Sequence, residues 1–216
     1  MIDSHEVVRL GLSVFLRESA KAEFEWCGEA GSVREAAAVL RMLAAEGNAP
    51  GIVITDVSYA DGSGMDLIRS IVAPKNPPRV LAYSAHSAKD YALRVLHAGA
   101  RGYIEKSQSL DELLKGLRAL AENEYVFPPE VIQSMLASRG RRNGNGSCVP
   151  NEVLSDREFE VYQLIGEGLI TRDIAEKLHL SPKTVETYRE SIKKKLGLAN
   201  ASELTRQAIL YVAQPM

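Results

Sequence analysis

The sequence predicts an α/β domain built on a doubly wound parallel sheet, followed by a small all-α domain of four helices. Three observations predict it. Short apolar runs alternate with amphipathic helical patterns through 1–123, and that alternation implies a parallel sheet covered on both faces. Ser138-Arg139-Gly140-Arg141-Arg142-Asn143-Gly144-Asn145-Gly146-Ser147 then carries no apolar period, so 124–150 is expected to hold a helical extension and a flexible linker. The remaining 151–216 holds helical patterns with start and stop signals and no strand-like run. A chain of 216 residues, 45% hydrophobic and 25% charged, is long enough to bury two small cores.

In the first half, helices are expected near His5 to Glu18, Val33 to Ala45, Met65 to Ile71, Ala88 to Ala98 and Leu110 to Glu122, with strands at Glu25 to Gly28, Ile52 to Asp56, Val80 to Ser84 and Gly102 to Glu105. Ligands of an open α/β sheet gather outside the carboxyl ends of its strands, so Asp56, Ser84 and Lys106 are expected to meet. A carboxylate can take a phosphoryl group as an acyl phosphate, while a hydroxyl and an ammonium hold the transferred oxygens. Each residue alone reads more simply, as a strand-end cap or a surface charge. Their joint placement on three strand ends is what points to chemistry.

In the second half, Leu154-Ser155-Asp156-Arg157-Glu158 opens a helix with a capping signature, and Val161, Leu164 and Ile165 continue its apolar face. Thr171 to Leu178 is a short helix with Ile174, Ala175 and Leu178 on one side, and His179 and Leu180 form a break. Ser181 is placed to cap the next helix, with Pro182 at its first position, where the missing N–H costs nothing. From that helix Val185, Ile192 and Leu196 point inward. Lys183, Thr184, Glu186, Thr187, Arg189, Glu190, Lys193 and Lys194 remain for phosphates and base edges, the polarity of a major-groove reading helix. Gly197 reads as a left-handed stop, and Ala201 to Val212 as the last helix, with Leu204, Ala208 and Tyr211 as candidate dimer residues or core.

The string from Leu154-Ser155-Asp156-Arg157-Glu158 through Ser181-Pro182-Lys183-Thr184-Val185 and Lys195-Leu196-Gly197 to Glu203-Leu204 resembles the LuxR-type DNA-binding domain. The first half, with Asp56, Asp61-Gly62-Ser63-Gly64-Met65-Asp66, Ser84, Ala98-Gly99-Ala100-Arg101-Gly102-Tyr103 and Lys106, resembles a response-regulator receiver. Together they resemble a NarL/FixJ-type two-component regulator: receiver 1–123, linker region 124–150, helix-turn-helix domain 151–216. The resemblance implies a flavodoxin-like fold, Asp56 as phosphoacceptor, and Ser84, Tyr103 and Lys106 as phosphate-binding and switch residues. It also implies Mg²⁺ on Asp3 and Asp56, a sensor histidine kinase or small phosphodonor, duplex DNA, and a homodimer when active.

The chain departs from that pattern at its start. Ile2-Asp3-Ser4-His5 begins where a receiver's first strand ends, so the strand is expected to be truncated, its neighbours to lack ladder partners, and the true start to lie upstream. Ser4 stands in place of a second acid, which weakens the expected hold on Mg²⁺ and leaves room for a regulator that binds DNA without phosphorylation. A Mg²⁺-dependent α/β phosphatase or phosphotransferase also uses a strand-end Asp, but Ser58 occupies the position of its second acid, and no enzyme is expected. An adaptor that binds protein through its helical domain is a further rival.

A net charge of −2 with pI near 6.1 excludes a protein that coats nucleic acid nonspecifically, so DNA binding must be local. No run approaches the roughly 20 apolar residues of a membrane span, and no signal peptide is present, so no membrane partner and a cytoplasmic site are expected. Cys27 and Cys148 have no metal spacing and read as reduced bystanders.

Overall fold

A computed structural model of the chain describes residues 1–20, 22–138 and 150–213, with the side chains of 134–138 and 151–152 left aside. Two compact units divide it, Met1–Arg142 and Asn143–Met216. The glycine-rich run after Ser138, and Cys148, lie outside the described residues; Ser138 itself ends a helix and not a linker.

The first unit runs α1 (Glu6–Ser19), α2 (Val33–Ala45), β1 (Ile52–Thr55), β2 (Ser58–Tyr59), β3 (Gly62–Ser63), α3 (Gly64–Val72), β4 (Arg79–Ser84), α4 (Ala88–His97), β5 (Gly102–Glu105), α5 (Leu110–Ala121) and α6 (Pro129–Ser138). Serine side chains start the helices where the pattern asks: Ser32, Ser63, Ser87 and Ser109 each accept a free backbone N–H of the first turn. β1, β4 and β5 form a parallel sheet in that order, with Ile52 opposite Arg79 and Leu81 opposite Gly102. On one face Ile54, Leu81, Tyr83 and Ile104 pack with Leu12 and Leu16 of α1 and Leu113, Leu117 and Leu120 of α5. The alternate residues Val53, Val80, Ala82 and Tyr103 are also buried, with α3 and α4 against the sheet. Burial on both faces explains the continuous apolar runs.

The first strand is a stub. Ile2 makes parallel bridges to Thr55 on one side and Ala30 on the other, its N–H donating to Ile54 O at 2.8 Å and its carbonyl accepting from Asp56 N at 3.0 Å. The neighbours therefore do have ladder partners, at these positions alone, which corrects the expectation that they have none. Glu25 to Gly28, expected as a strand, joins no ladder; beside it the Gly28 carbonyl accepts from the Met1 ammonium at 3.0 Å. Upstream of that contact Phe24, Trp26, Ile52, Ile54, Leu16 and Leu117 line an open groove.

The second unit runs α7 (Pro150–Val153), α8 (Asp156–Gly166), α9 (Thr171–Lys177), α10 (Pro182–Leu196) and α11 (Ala201–Val212). Phe159, Tyr162, Ile165, Ile174, Val185, Ile192, Leu204 and Ala208 are buried, and α8 meets both α10 and α11. Between α9 and α10 the chain turns at His179, which takes the left-handed region with φ of 53°, and α10 stops at Gly197 with φ of 68°. No described helix is long and apolar enough to cross a membrane.

Burial holds the Met1 ammonium below the ordinary α-amino pKa of 8.0. The folded chain then carries fewer protons than the unfolded one just below pH 8.0, so this group should make stability rise as pH climbs to that value. Urea midpoints of free and N-acetylated protein across that window should diverge in slope; parallel profiles would contradict the buried charge.

Candidate functional site

The carboxyl ends of β1, β4 and β5 bring Asp56, Ser84 and Lys106 together as expected. Asp56 Oδ1 accepts from Ser84 Oγ at 2.7 Å and Val57 N at 2.6 Å, and Oδ2 accepts from Lys106 Nζ at 2.5 Å. The stub adds Asp3, fully buried, whose Oδ2 lies 2.6 Å from the same ammonium without meeting any donor in hydrogen-bond geometry. Burial disfavours the Lys106 charge, but the carboxylates of Asp3 and Asp56 beside it more than offset that and hold its pKa above the ordinary value. Arg9, nearby, spends its guanidinium on the Asp3 carbonyl at 2.7 Å and on Glu29 at 3.3 Å.

Two features position these groups. Tyr59, from the β2–β3 hairpin, donates its hydroxyl to Ile2 O at 2.8 Å and accepts from Asp56 N at 3.1 Å, tying the stub to β1; burial raises its pKa. Gly64 lets the hairpin close, since a Cβ there would lie 2.2 Å from Val57 O. Asp61 turns out to cap α2, accepting from Val33 N and Arg34 N at 3.0 and 3.1 Å. Tyr103 is buried, its hydroxyl donating to His86 O at 2.8 Å, and the His86 ring meets Ser58 Oγ at 2.7 Å.

A divalent cation fits this pocket. Asp3, His5 and Asp56 each offer a ligand atom within 4.8 Å of the others, and two buried carboxylates face one ammonium. Ser4 is exposed and brings no charge. Sequence reasoning missed His5, Tyr59 and His86; His5 was signalled only by its place two residues after Asp3.

In the second unit Lys183, Glu186, Thr187, Glu190 and Lys194 are exposed along α10, with Thr184, Arg189 and Lys193 half-buried. The acids answer the bases: Glu186 lies 3.8 Å from Arg189 and Glu190 2.8 Å from Lys193, while Thr171 Oγ1 donates to Glu186 at 2.6 Å. Lys195 is exposed as well, but its ammonium is held by Glu158 at 2.6 Å. Glu158 also accepts from Ser155 N at 2.7 Å and Ser191 Oγ at 2.6 Å, so one carboxylate both starts α8 and anchors α10. Of the two readings open for the last helix, core holds for Leu204 and Ala208, which are buried, and Tyr211 packs edge-on to Phe159 and Tyr162. Ile209, Leu210 and Val212 are exposed instead.

Residues 1–118 match the response regulator receiver domain, and 152–208 match the bacterial regulatory proteins of the luxR family. The chain is 30% identical over 207 residues to transcriptional regulatory protein UhpA of Escherichia coli (strain K12), covering 96% of this chain and 95% of that protein. It is 30% identical over 213 residues to response regulator protein VraR of Staphylococcus aureus (strain Mu3), covering 99% and 94%. Among solved structures it resembles RcsB from Salmonella enterica serovar Typhimurium bound to promoter P1flhDC in the presence of phosphomimetic BeF3-, with TM-score 0.59, 26% identity, and 96% and 95% covered.

Burial opposes ionisation of Glu158, but Lys195, Ser191 and Ser155 hold its carboxyl down at about 2 against an ordinary 4.5. Its contribution is present above 4.5 and lost as pH falls towards 2. Glu158→Gln should therefore lower the urea midpoint of the helical unit at neutral pH, with the gap closing near pH 2. A gap that does not change with pH would refute the anchor.

Proposed function

The chain belongs to the response-regulator family as a transcriptional regulator with a receiver and a LuxR-type DNA-binding domain, and from this we propose that phosphorylation of Asp56 controls its hold on DNA. What carries this reading is the convergence of the Ser84 hydroxyl and the Lys106 ammonium on one buried carboxylate. An Asp56 oxygen attacks the phosphorus of a phosphohistidine on a sensor kinase, or of a small acyl phosphate, and the bond to the donor's leaving group breaks. Lys106 and Ser84 then hold phosphoryl oxygens that they reach by exchanging partners. Asp3 and Asp56 would hold a Mg²⁺ ion, which would supply positive charge to offset the incoming oxygens.

Tyr103 and His86 carry the change outwards, since the Tyr103 hydroxyl rests on the His86 carbonyl two residues beyond Ser84. In this scheme the receiver spans 1–123, a helical extension and linker 124–150, and the reading domain 151–216. Lys183 and Lys194 meet phosphates, Thr184, Thr187, Arg189 and Lys193 support them, and Glu186 and Glu190 accept from cytosine N4. The exposed Ile209, Leu210 and Val212 of α11 suit the pairing of two active copies. The site of action is cytoplasmic. A regulator working without phosphate is favoured by Ser4 alone, which removes one acid from the pocket.

With a small acyl phosphate and Mg²⁺, the protein should shift on a phosphate-affinity gel, whereas Asp56→Asn should not. Phosphorylation should tighten duplex binding by about tenfold at fixed salt, and Lys183→Ala should flatten the salt dependence by about one unit of slope. An unshifted wild type that still binds its operator would transfer the reading to the phosphate-independent regulator.

A further inference from the structure

We propose that His5 is a ligand of the divalent cation in the Asp56 pocket, and that its imidazole turns the pocket's preference from Mg²⁺ towards Mn²⁺; this rests on reading the pocket as the acceptor site. Three observations carry it. The Nδ1 atom of His5 groups with carboxylate oxygens of Asp3 and Asp56, all within 4.8 Å of one another, so one ion can touch all three. Asp3 has no exposed surface, and its Oδ2 meets no hydrogen-bond donor although an ammonium stands 2.6 Å away. That leaves lone pairs in the interior for a cation to use. Ser4 offers no carboxylate, and its Oγ lies outside, 3.5 Å from the His5 ring.

The geometry holds His5 in place. Its backbone N–H donates to Asp3 Oδ1 at 2.8 Å, which fixes the turn into α1 and sets Nδ1 2.9 Å from the same oxygen. The ring is 66% exposed; without an ion its Nδ1 donates to Asp3 Oδ1, and a bound ion would take that place with the ring proton carried on Nε2 instead. Two carboxylates and one imidazole form a mixed oxygen and nitrogen set. Mg²⁺ is small and hard, keeps its waters and prefers oxygen; imidazole adds little for it. First-row transition ions accept imidazole readily, and Mn²⁺, which also takes carboxylate and water, suits the mixture.

The test uses the full-length unphosphorylated chain. Loss of the free Mn²⁺ resonance on titration gives its affinity, and competition gives that of Mg²⁺. Wild type should bind Mn²⁺ at least about tenfold more tightly than Mg²⁺. Pulsed electron paramagnetic resonance of the bound ion should show ¹⁴N modulation from a coordinated imidazole, converting to the ¹⁵N pattern when the histidines are ¹⁵N-labelled. His5→Ala should lose that signature and about tenfold in Mn²⁺ affinity while Mg²⁺ affinity stays within about twofold. The labelled wild type answers the question even if the variant folds poorly. Equal affinities, or a wild-type ion without nitrogen modulation, would overturn the role of His5 and leave the acceptor pocket standing. An ion whose binding is untouched by Asp56→Asn would show that the pocket itself has been misread.

Discussion

Asp3 and Asp56 share one ammonium, that of Lys106, in a place almost closed to water, and the rest of the first unit is arranged around that shortage of positive charge. Like charges this close repel strongly where the effective dielectric is low, so the pocket holds together only while something positive stands between them. Lys106 answers part of the demand. The parallel order of β1, β4 and β5, with Ile2 on the far side of β1, is what brings both acids, the Ser84 hydroxyl and the ammonium to one edge of the sheet. A site short of cations invites a divalent ion. Under the proposed function, with an ion held there, adding a phosphoryl group would be an exchange of partners in a preformed electrostatic cradle.

The second unit solves a different problem, how an acidic protein with net charge −2 can touch a polyanion. Its reading helix carries acids one turn apart, and Glu186 and Glu190 tie up Arg189 and Lys193. Among the described residues Lys183 and Lys194 have no ion-pair partner. Under the proposed function, phosphate contact would be confined to a few points, and the paired cations would be released only where a base edge or phosphate competes for them. Such a surface trades raw affinity for selectivity. Glu158 keeps the helix at a fixed angle to α8 by joining the capping box to Ser191 and Lys195.

Much of this was legible in the sequence, for local reasons. Helix starts at Ser32, Ser155 and Ser181 follow from side-chain capping, and the stop at Gly197 from its tolerance of positive φ. Asp56, Ser84 and Lys106 were legible because strands of a parallel sheet end on one side. What failed depended on partners distant in sequence. Glu25 to Gly28 has strand composition, but a strand exists only where a neighbour pairs with it, and no described strand pairs with this run. Leu204 and Ala208 stayed open between core and interface for the same reason, since spacing cannot say whether the covering surface belongs to the same chain or a second copy; they are core. The pairing of Lys195 with Glu158, 37 residues earlier in sequence, carries no local signal at all.

The surplus of buried negative charge can be measured directly through the thermal midpoint of wild type and Asp56→Asn, each with and without a saturating divalent cation. The account predicts that the asparagine variant is the more stable without the ion, because it removes one of two charges competing for Lys106, and that the cation stabilises wild type far more than the variant. A variant less stable than wild type without any cation, or one raised as much as wild type by its addition, would contradict it.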